Sequence, residues 1–181
     1  MTDHQEKTPQ GGIAGYASLI QAADGLTLGQ VCALSGLEQT TVQNWIKRGF
    51  VPHPVRKKYH QRHLARILLI DRLRESMRID RVGELLTYIN GDADDESDDL
   101  LPEEDLYDIF YRVSSGLEAR MPSPDEVPGL VRELAGDTSG ICSDGEKLIH
   151  ALTVRGCTHI SNVYKRRADS LFREYCQTEQ E

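Results

Sequence analysis

Hydrophobic residues recur at helical spacing along most of this chain, and strand-like alternation is almost absent. The pattern is clearest after Thr27, where a short apolar segment, a turn at Gly36 and a second apolar segment follow one another. Thr27 and Gln30 have the spacing of a capping box, in which each side chain binds a free amide of the first turn. Gly36 suits a tight turn because glycine takes positive φ angles without steric cost. The pattern predicts two short helices joined by a turn.

The second of these helices is predicted at residues 39–48, and its two faces differ in chemistry. Val42, Trp45 and Ile46 fall on one side at about 100° per residue, which favours packing of the tryptophan in the core over stacking on a ligand. The other side has no carboxylate and carries Thr40, Thr41, Gln43, Asn44, Lys47 and Arg48. Gln and Asn can bind adenine bidentately, whereas Lys and Arg reach phosphate or guanine. This face predicts a recognition helix for the major groove of DNA.

A basic segment at residues 52–59 follows. Pro52 and Pro54 exclude a helix there, and the charged run after them suits a short hairpin wing on a phosphate backbone. Two further amphipathic helices are predicted around residues 64–73 and 82–89. The predicted DNA contacts of the wing and of the helix that follows it are Arg56, Lys57, Lys58, Tyr59 and Arg62.

This order of elements resembles the DNA-binding domain of MerR-type regulators. Residues 41–45 stand where that family has T-[IV]-R-[YF]-[YW], and Gly49-Phe50-Val51 stands where it has a G-L-[IV] step. Lys57-Lys58-Tyr59 matches the R-x-Y end of the family's wing, and residues 78–82 match the start of its last helix. The segments TVQNWIKRGFVPHP, KKYHQRHLARILLI and LLTYING are also similar to an uncharacterised bacterial family of MerR-like proteins with unassigned activity. The resemblance implies a winged helix-turn-helix that binds DNA.

The distribution of charge agrees with this expectation, although the chain as a whole is acidic, with a formal net charge of −8. Residues 47–81 are rich in lysine and arginine, whereas residues 92–108 contain acids and no cation. The basic region coincides with the predicted helix-turn-helix. The acidic run is expected to repel itself and form a solvated linker. The alternative is an anionic segment that competes with DNA for the basic face.

The predicted fold class is all-α, a winged helix-turn-helix followed by a helical C-terminal domain. In the second half, apolar stripes predict a helix after Pro102, a short one near residues 127–134, one at residues 146–155 and a long closing helix. The last two are either separate or continuous through Gly156. The predicted parts are a disordered tail at residues 1–12, the winged helix-turn-helix at 13–91, an acidic linker at 92–101 and a dimerisation or effector domain at 102–181.

The closing helix also suggests how the chain would pair with a second copy. Its apolar residues recur at spacings of four and three, at Ile160, Tyr164, Ala168, Leu171 and Tyr175. Helix-turn-helix proteins gain specificity by pairing on two-fold operators, so this seam predicts a homodimer. The competing interpretation is that the seam covers its own domain.

Other classes of function receive little support from the sequence. No apolar run approaches the ~20 residues of a membrane span, and no signal-peptide core is present, so a cytoplasmic protein is expected. The cysteines lack C-x-x-C spacing, which favours reduced thiols over a metal site at Cys142, Cys157 and His159. His53, His60 and His63 flank the wing as candidates for phosphate or metal contacts, and aromatic residues in the second half leave room for a small-molecule effector. Neither a phosphate-binding loop nor a nucleophile–base pair occurs, so no enzyme activity and no cofactor are predicted.

The sequence therefore predicts a sequence-specific DNA-binding transcriptional regulator that acts on double-stranded DNA as a homodimer. The alternative is a helical protein-interaction module that keeps the winged-helix scaffold without binding DNA. The outer face of the helix at residues 39–48 favours the first interpretation, because its side chains are donors and acceptors suited to bases and phosphates.

Overall fold

The computed structural model describes residues 12–177, and this part of the chain is predominantly helical, as expected. Short 3-10 helices lie at Gly12–Tyr16 and Glu96–Asp98. Within the described part, isolated antiparallel bridges join Leu26 to Tyr59 and Val55 to Lys58 in place of β-strands. All but the last residue of the predicted N-terminal tail lies outside the described residues. The α-helices are α1 (Ala17–Ala22), α2 (Leu28–Ser35), α3 (Gln39–Lys47), α4 (Gln61–Leu73), α5 (Ile79–Asn90), α6 (Glu103–Arg120), α7 (Val127–Ala135) and α8 (Gly145–Gln177).

Helices α2 and α3 form where the local signals predict them. The backbone amide of Thr27 donates to Oε1 of Gln30 (2.8 Å), and the amide of Gln30 donates to Oγ1 of Thr27 (3.3 Å), which completes the capping box. Gly36 ends α2 with a φ angle of 76°, and α3 begins three residues later. The capping box thus marks the start of α2 and Gly36 marks its end, whereas Glu38 at the start of α3 makes no side-chain cap hydrogen bond.

The buried apolar residues form one cluster that runs through both halves of the chain. Helix α4 contributes most of its length to this cluster, and α6 packs directly against it. The apolar stripe of α6 is buried as the sequence predicts, with Leu106, Phe110 and Leu117 among its residues. The two predicted domains at residues 13–91 and 102–181 therefore share a continuous core.

A buried ion pair lies where the two halves meet. The guanidinium of Arg66 on α4 donates from Nη1 to Oε1 of Glu103 on α6, and both side chains are only 2% exposed. Arg66 Nε also donates to the carbonyl of Phe50 (3.0 Å), and Asn90 Nδ2 donates to Oε1 of Glu103 (3.3 Å). Asn90 further accepts from the amide of Leu100 (3.0 Å) through Oδ1. These bonds join α4, α5 and α6 to one another and to Phe50, which follows the turn after α3.

The acidic segment between α5 and α6 lies against the protein surface. Ala93, Leu100 and Leu101 are buried. The Asn90 side chain accepts from the amide of Leu100 and donates to the carbonyl of Leu101. The acids among residues 92–98 stay exposed to solvent, but the segment at residues 92–101 is not detached from the protein. Buried apolar side chains near both of its ends anchor it despite the mutual repulsion of its charges.

Helices α6, α7 and α8 pack on one another at the other end of the molecule. Pro128 lies in the first turn of α7, where a proline needs no helical hydrogen bond. Helix α8 is continuous through Gly156, which is one of the two arrangements that the sequence leaves open. A Cβ atom at Gly156 would lie 3.0 Å from side-chain carbons of Leu117 and Val127. Gly156 thus permits the close approach of α8 to α6 and α7.

Removal of the Glu103 carboxylate is expected to lower the free energy of unfolding by about 3–5 kcal/mol, because Glu103→Ala leaves the Arg66 guanidinium buried without its counter-charge. Urea denaturation of the full chain measures this loss. The matched control is Glu133→Ala, which breaks an ion pair with Arg120 at the surface and should have little effect. Equal losses in the two variants would contradict a central role for the buried pair.

Candidate nucleic-acid interface

The outer face of α3 is composed of polar side chains that point to solvent. Thr40, Gln43, Asn44 and Lys47 are exposed and Thr41 is half-buried. No hydrogen bond or ion pair to another described residue engages the Gln43, Asn44 or Lys47 side chains. The amide and ammonium groups of this face are therefore available to an external partner.

The inner face of α3 fixes the orientation of the outer one. Val42 and Trp45 are buried in the core, so the tryptophan is a packing residue. Arg48 at the end of the helix donates from Nη2 to Oδ1 of Asp80 on α5 (2.5 Å) and stacks over the ring of Phe50, 4.4 Å from its centroid. Arg48 was predicted to contact DNA, but in this structure its guanidinium holds the end of α3 against α5.

A two-residue turn projects Arg56 and Lys57 into solvent. The amide of Lys58 donates to the carbonyl of Val55 (2.8 Å), which closes the turn. Arg56 and Lys57 have φ angles of 51° and 65°, the combination of a type I′ turn. Residues other than glycine lose about 1–2 kcal/mol each in this left-handed region, and the preferred pair for such a turn is Asn-Gly. Two exposed cations thus occupy backbone positions that they do not favour.

The next two residues support the turn. Lys58 donates from Nζ to the carbonyls of Ala23 (3.2 Å) and Gly25 (3.1 Å), and Tyr59 is only 4% exposed. Tyr59 also exchanges two backbone hydrogen bonds of 2.8 Å with Leu26. Lys58 and Tyr59, both predicted to contact DNA, thus have a structural role here: the ammonium is bound to backbone carbonyls, and the ring belongs to the core.

His63 links the two ends of the basic segment. Its Nδ1 accepts from the amide of His60 (3.1 Å), and its Nε2 lies 3.1 Å from the carbonyl of His53. This arrangement requires the neutral ring with its proton on Nε2, and burial lowers the pKa of His63. His63 is therefore a structural residue, in contrast to the expected contact with phosphate or metal.

The acidic segment neutralises part of the basic region. The amide of His53 donates to Oδ1 of Asp94 (2.7 Å), and the His53 ring lies 2.7 Å from Oδ2 of the same carboxylate. Arg62 on α4 donates to Oε1 of Glu96 and to the carbonyl of Ala93 (2.9 Å). One signal of these contacts is visible in the sequence, namely the opposite charge of the two segments.

Several cations of the basic region keep exposed side chains without an ionic partner among the described residues: Lys47, Arg56, Lys57 and Arg78. Lys47 lies at the end of α3, and Arg56 and Lys57 lie at the tip of the turn. The cations available to an external partner are therefore fewer than the sequence count suggests.

Alternative chemistry finds no support in the described residues. None of their His, Cys, Asp and Glu side chains form a group of three or more with the geometry of a metal site. The four cysteines are free thiols, and His159 is buried with its Nε2 3.0 Å from Oε1 of Glu118. No helix within residues 12–177 is both long and apolar enough to cross a bilayer.

Comparison with known proteins identifies one family model that matches part of the chain. Residues 26–110 match a domain of unknown function, DUF1836. The matched residues extend from the start of α2 through the acidic segment into α6, so they include Arg66, Asn90 and Glu103. No curated protein and no solved structure gives a significant match.

Replacement of Arg56-Lys57 by Asn-Gly is expected to stabilise the protein, because the new pair adopts the type I′ turn with less strain. The free energy of unfolding should rise by about 1–2 kcal/mol in urea denaturation. The matched control is Ala-Ala at the same positions, which removes the same charges and keeps the unfavourable φ angles. A gain in stability with Ala-Ala equal to that with Asn-Gly would show that charge repulsion, and not backbone strain, destabilises this turn.

Proposed function

We propose that this protein is a sequence-specific DNA-binding transcriptional regulator. Helices α2 and α3 form its helix-turn-helix, α3 enters the major groove, and residues 52–59 form a small wing on the phosphate backbone. The observation that carries the proposal is the outer face of α3, which presents Gln43, Asn44 and Lys47 to solvent without a carboxylate on the helix. Amide side chains on such a helix can read adenine, and cations beside them can bind phosphate or guanine.

The strained turn supports the same proposal. A turn selected for stability alone would favour Asn-Gly over Arg56-Lys57. Unfavourable backbone conformations persist mainly where they serve a function, and here they carry two exposed cations. Positive charge at the tip of a wing contributes affinity for phosphate without sequence preference.

The MerR-like pattern of the sequence agrees with this assignment. The three-residue turn after α2, the tight turn at residues 55–58 and the two helices that follow occur in the order expected for a winged helix-turn-helix. The alternative, a protein-interaction module on the same scaffold, predicts no affinity for DNA. DNA binding therefore discriminates between the two functions.

We further propose that α8 pairs two copies of the chain. The seam predicted from the sequence is partly used within the protomer, since Ile160 is buried and the hydroxyl of Tyr164 donates to the carbonyl of Met121 (3.1 Å). The end of the helix is different, because Phe172 and Tyr175 are 65% and 64% exposed. A second copy is the occupant that fits, because two-fold pairing supplies the second recognition helix that a single α3 lacks.

Selection from random duplex DNA with the full chain should yield a preferred sequence. Its log affinity is expected to fall with log salt at about −0.9 per neutralised phosphate. Asn44→Ala and Gln43→Ala should each reduce the preference by about 1–3 kcal/mol, because each removes a bidentate base contact. The Asn-Gly and Ala-Ala variants of residues 56–57 should instead weaken all sequences alike and reduce the salt dependence.

These variants also separate a DNA-binding role from a structural one. Asn-Gly is expected to raise stability while it lowers affinity, which a purely structural role of the turn would not produce. Glu96→Gln releases Arg62 and should raise affinity at low salt. Absence of binding in low salt, or unchanged sequence preference after both α3 substitutions, would overturn the proposal and favour the interaction module.

The full chain is expected to sediment at equilibrium as a dimer. Phe172→Lys combined with Tyr175→Lys should give a monomer, because ammonium groups would replace the exposed aromatic rings at the end of α8 and repel those of the second copy. Asp169→Lys is the matched control, since it makes the same change in net charge at an exposed position off the seam. A monomeric parent chain, or a dimer that survives the double substitution, would contradict pairing through α8.

A further inference from the structure

A cleft of about 610 Å³ opens beside the junction of the two halves. One wall is the first turn of α4, another is the end of the acidic segment with the start of α6, and the third is the loop at residues 139–143. The outer face of α3 and the basic turn do not line this cleft. The cleft shares Arg62 and Glu96 with the predicted DNA-contact region, whereas its carboxylates at the start of α6 take no part in the DNA contacts proposed above.

Carboxylates converge on the cleft from the segment that enters α6. Asp99 and Glu104 line it and are both half-buried, and no described residue forms an ion pair with either. Glu103 also lines the cleft, and only one of its carboxylate oxygens is used by Arg66 and Asn90. The other oxygen, Oε2, is buried without a hydrogen-bond partner among the described residues.

The helix dipole of α6 explains the positions of two of these three acids. Acids in the first turn of a helix interact favourably with the helix dipole, and Glu103 and Glu104 lie in the first turn of α6. Asp99 precedes that helix, and the dipole does not provide a hydrogen bond for a buried oxygen. A buried carboxylate oxygen without a donor is costly, and a donor in the cleft would remove that cost.

The charge in the cleft is negative. Arg62 at its rim is already bound to Glu96 and to the carbonyl of Ala93. Burial, followed by the charge of Glu103, raises the pKa of Asp99 to about 6, and burial likewise raises the pKa of Glu104. Both pKa shifts have the direction that burial of a carboxylate produces, and the charge of Glu103 adds to each of them.

Apolar surface lies beside the carboxylates. Leu100, Leu101 and Pro102 form part of the wall, and Ile141 on the opposite loop is 45% exposed although it is a large hydrophobic residue. A ligand with a positive end and a short hydrocarbon chain would match both surfaces. Its ammonium group would donate to the carboxylates while its methylene groups cover Ile141.

We infer that this cleft binds an alkylammonium ligand, such as an aliphatic diamine or polyamine, through Asp99, Glu103 and Glu104. Each primary ammonium has three donors, and the two charged ends of a diamine can reach carboxylates at separate positions along the cleft, so the three acids need not share one cation. A divalent metal fits less well, because no three carboxylates among the described residues have metal-binding geometry. The inference stands whether or not the protein binds DNA.

Calorimetric titration of the full chain with 1,5-diaminopentane tests the site, with 1,5-pentanediol as a ligand of the same length without charge. The diamine should bind and the diol should not. Asp99→Asn and Glu104→Gln should each weaken diamine binding at least tenfold. Both residues are only half-buried, so these variants should fold, and thermal unfolding checks that they do.

The matched control is Asp125→Asn, which removes an exposed carboxylate from the loop before α7 and should leave binding unchanged. Diamine binding should also weaken as the pH falls below about 6, where Asp99 becomes protonated in the presence of Glu103, Asp98, Arg62 and Arg66. Absence of diamine binding, equal binding of the diol, or equal loss of affinity in Asp125→Asn and the cleft variants would overturn the inference.

Discussion

The buried ion pair between Arg66 and Glu103 is the constraint on which the arrangement of the other helices depends. Removal of two charges from water is unfavourable unless close geometry and further hydrogen bonds compensate for it. The compensation here comes from the carbonyl of Phe50 and the amide of Asn90. Segments far apart in the chain must therefore meet at one point. The surface formed by α3 and the basic turn is thereby held in a fixed relation to the C-terminal helices.

The same constraint explains why the two halves of the chain share one hydrophobic core. A boundary after Gly91 is plausible from the sequence, because a helix ends there and a run of acids begins. Asn90, however, is fully buried, and its side chain binds backbone groups on the far side of that run. A short acidic stretch in a sequence can thus lie against the protein with its acids exposed, when buried apolar residues anchor its ends.

Local patterns predicted the helices well and the long-range contacts poorly. The helix predicted at residues 39–48 is observed at Gln39–Lys47, and the capping box at Thr27 is present. Periodicity identifies the buried face of a helix, but it does not reveal which residue on another element will meet it. For this reason the sequence assigned Lys58 and Tyr59 to the binding surface, although both hold the turn in place. Periodicity did not predict the pairing of Glu96 with Arg62 for the same reason.

Charge counts along a sequence also differ from charge on a surface. The basic region contains many more cations than the four that remain exposed without an ionic partner in the described structure. Carboxylates and backbone carbonyls bind most of the others. The acidic segment supplies some of those carboxylates and leaves others at the cleft beside α6. Positive and negative groups therefore lie side by side on the surface, although in the sequence the basic region and the acidic segment are separate.

The length of α8 affects how the molecule moves through solution. A helix of 33 residues is about 50 Å long, whereas a compact chain of 181 residues has a radius of gyration of roughly 16 Å. Contacts with Met121 and Glu118 extend along α8 as far as Arg166, and the described residues beyond it have no buried side chain, so this end of the helix projects from the core. Such a shape increases friction with solvent relative to a sphere of equal mass. Migration through a porous matrix would consequently overstate the mass of a single chain, whereas buoyant mass at sedimentation equilibrium does not depend on shape.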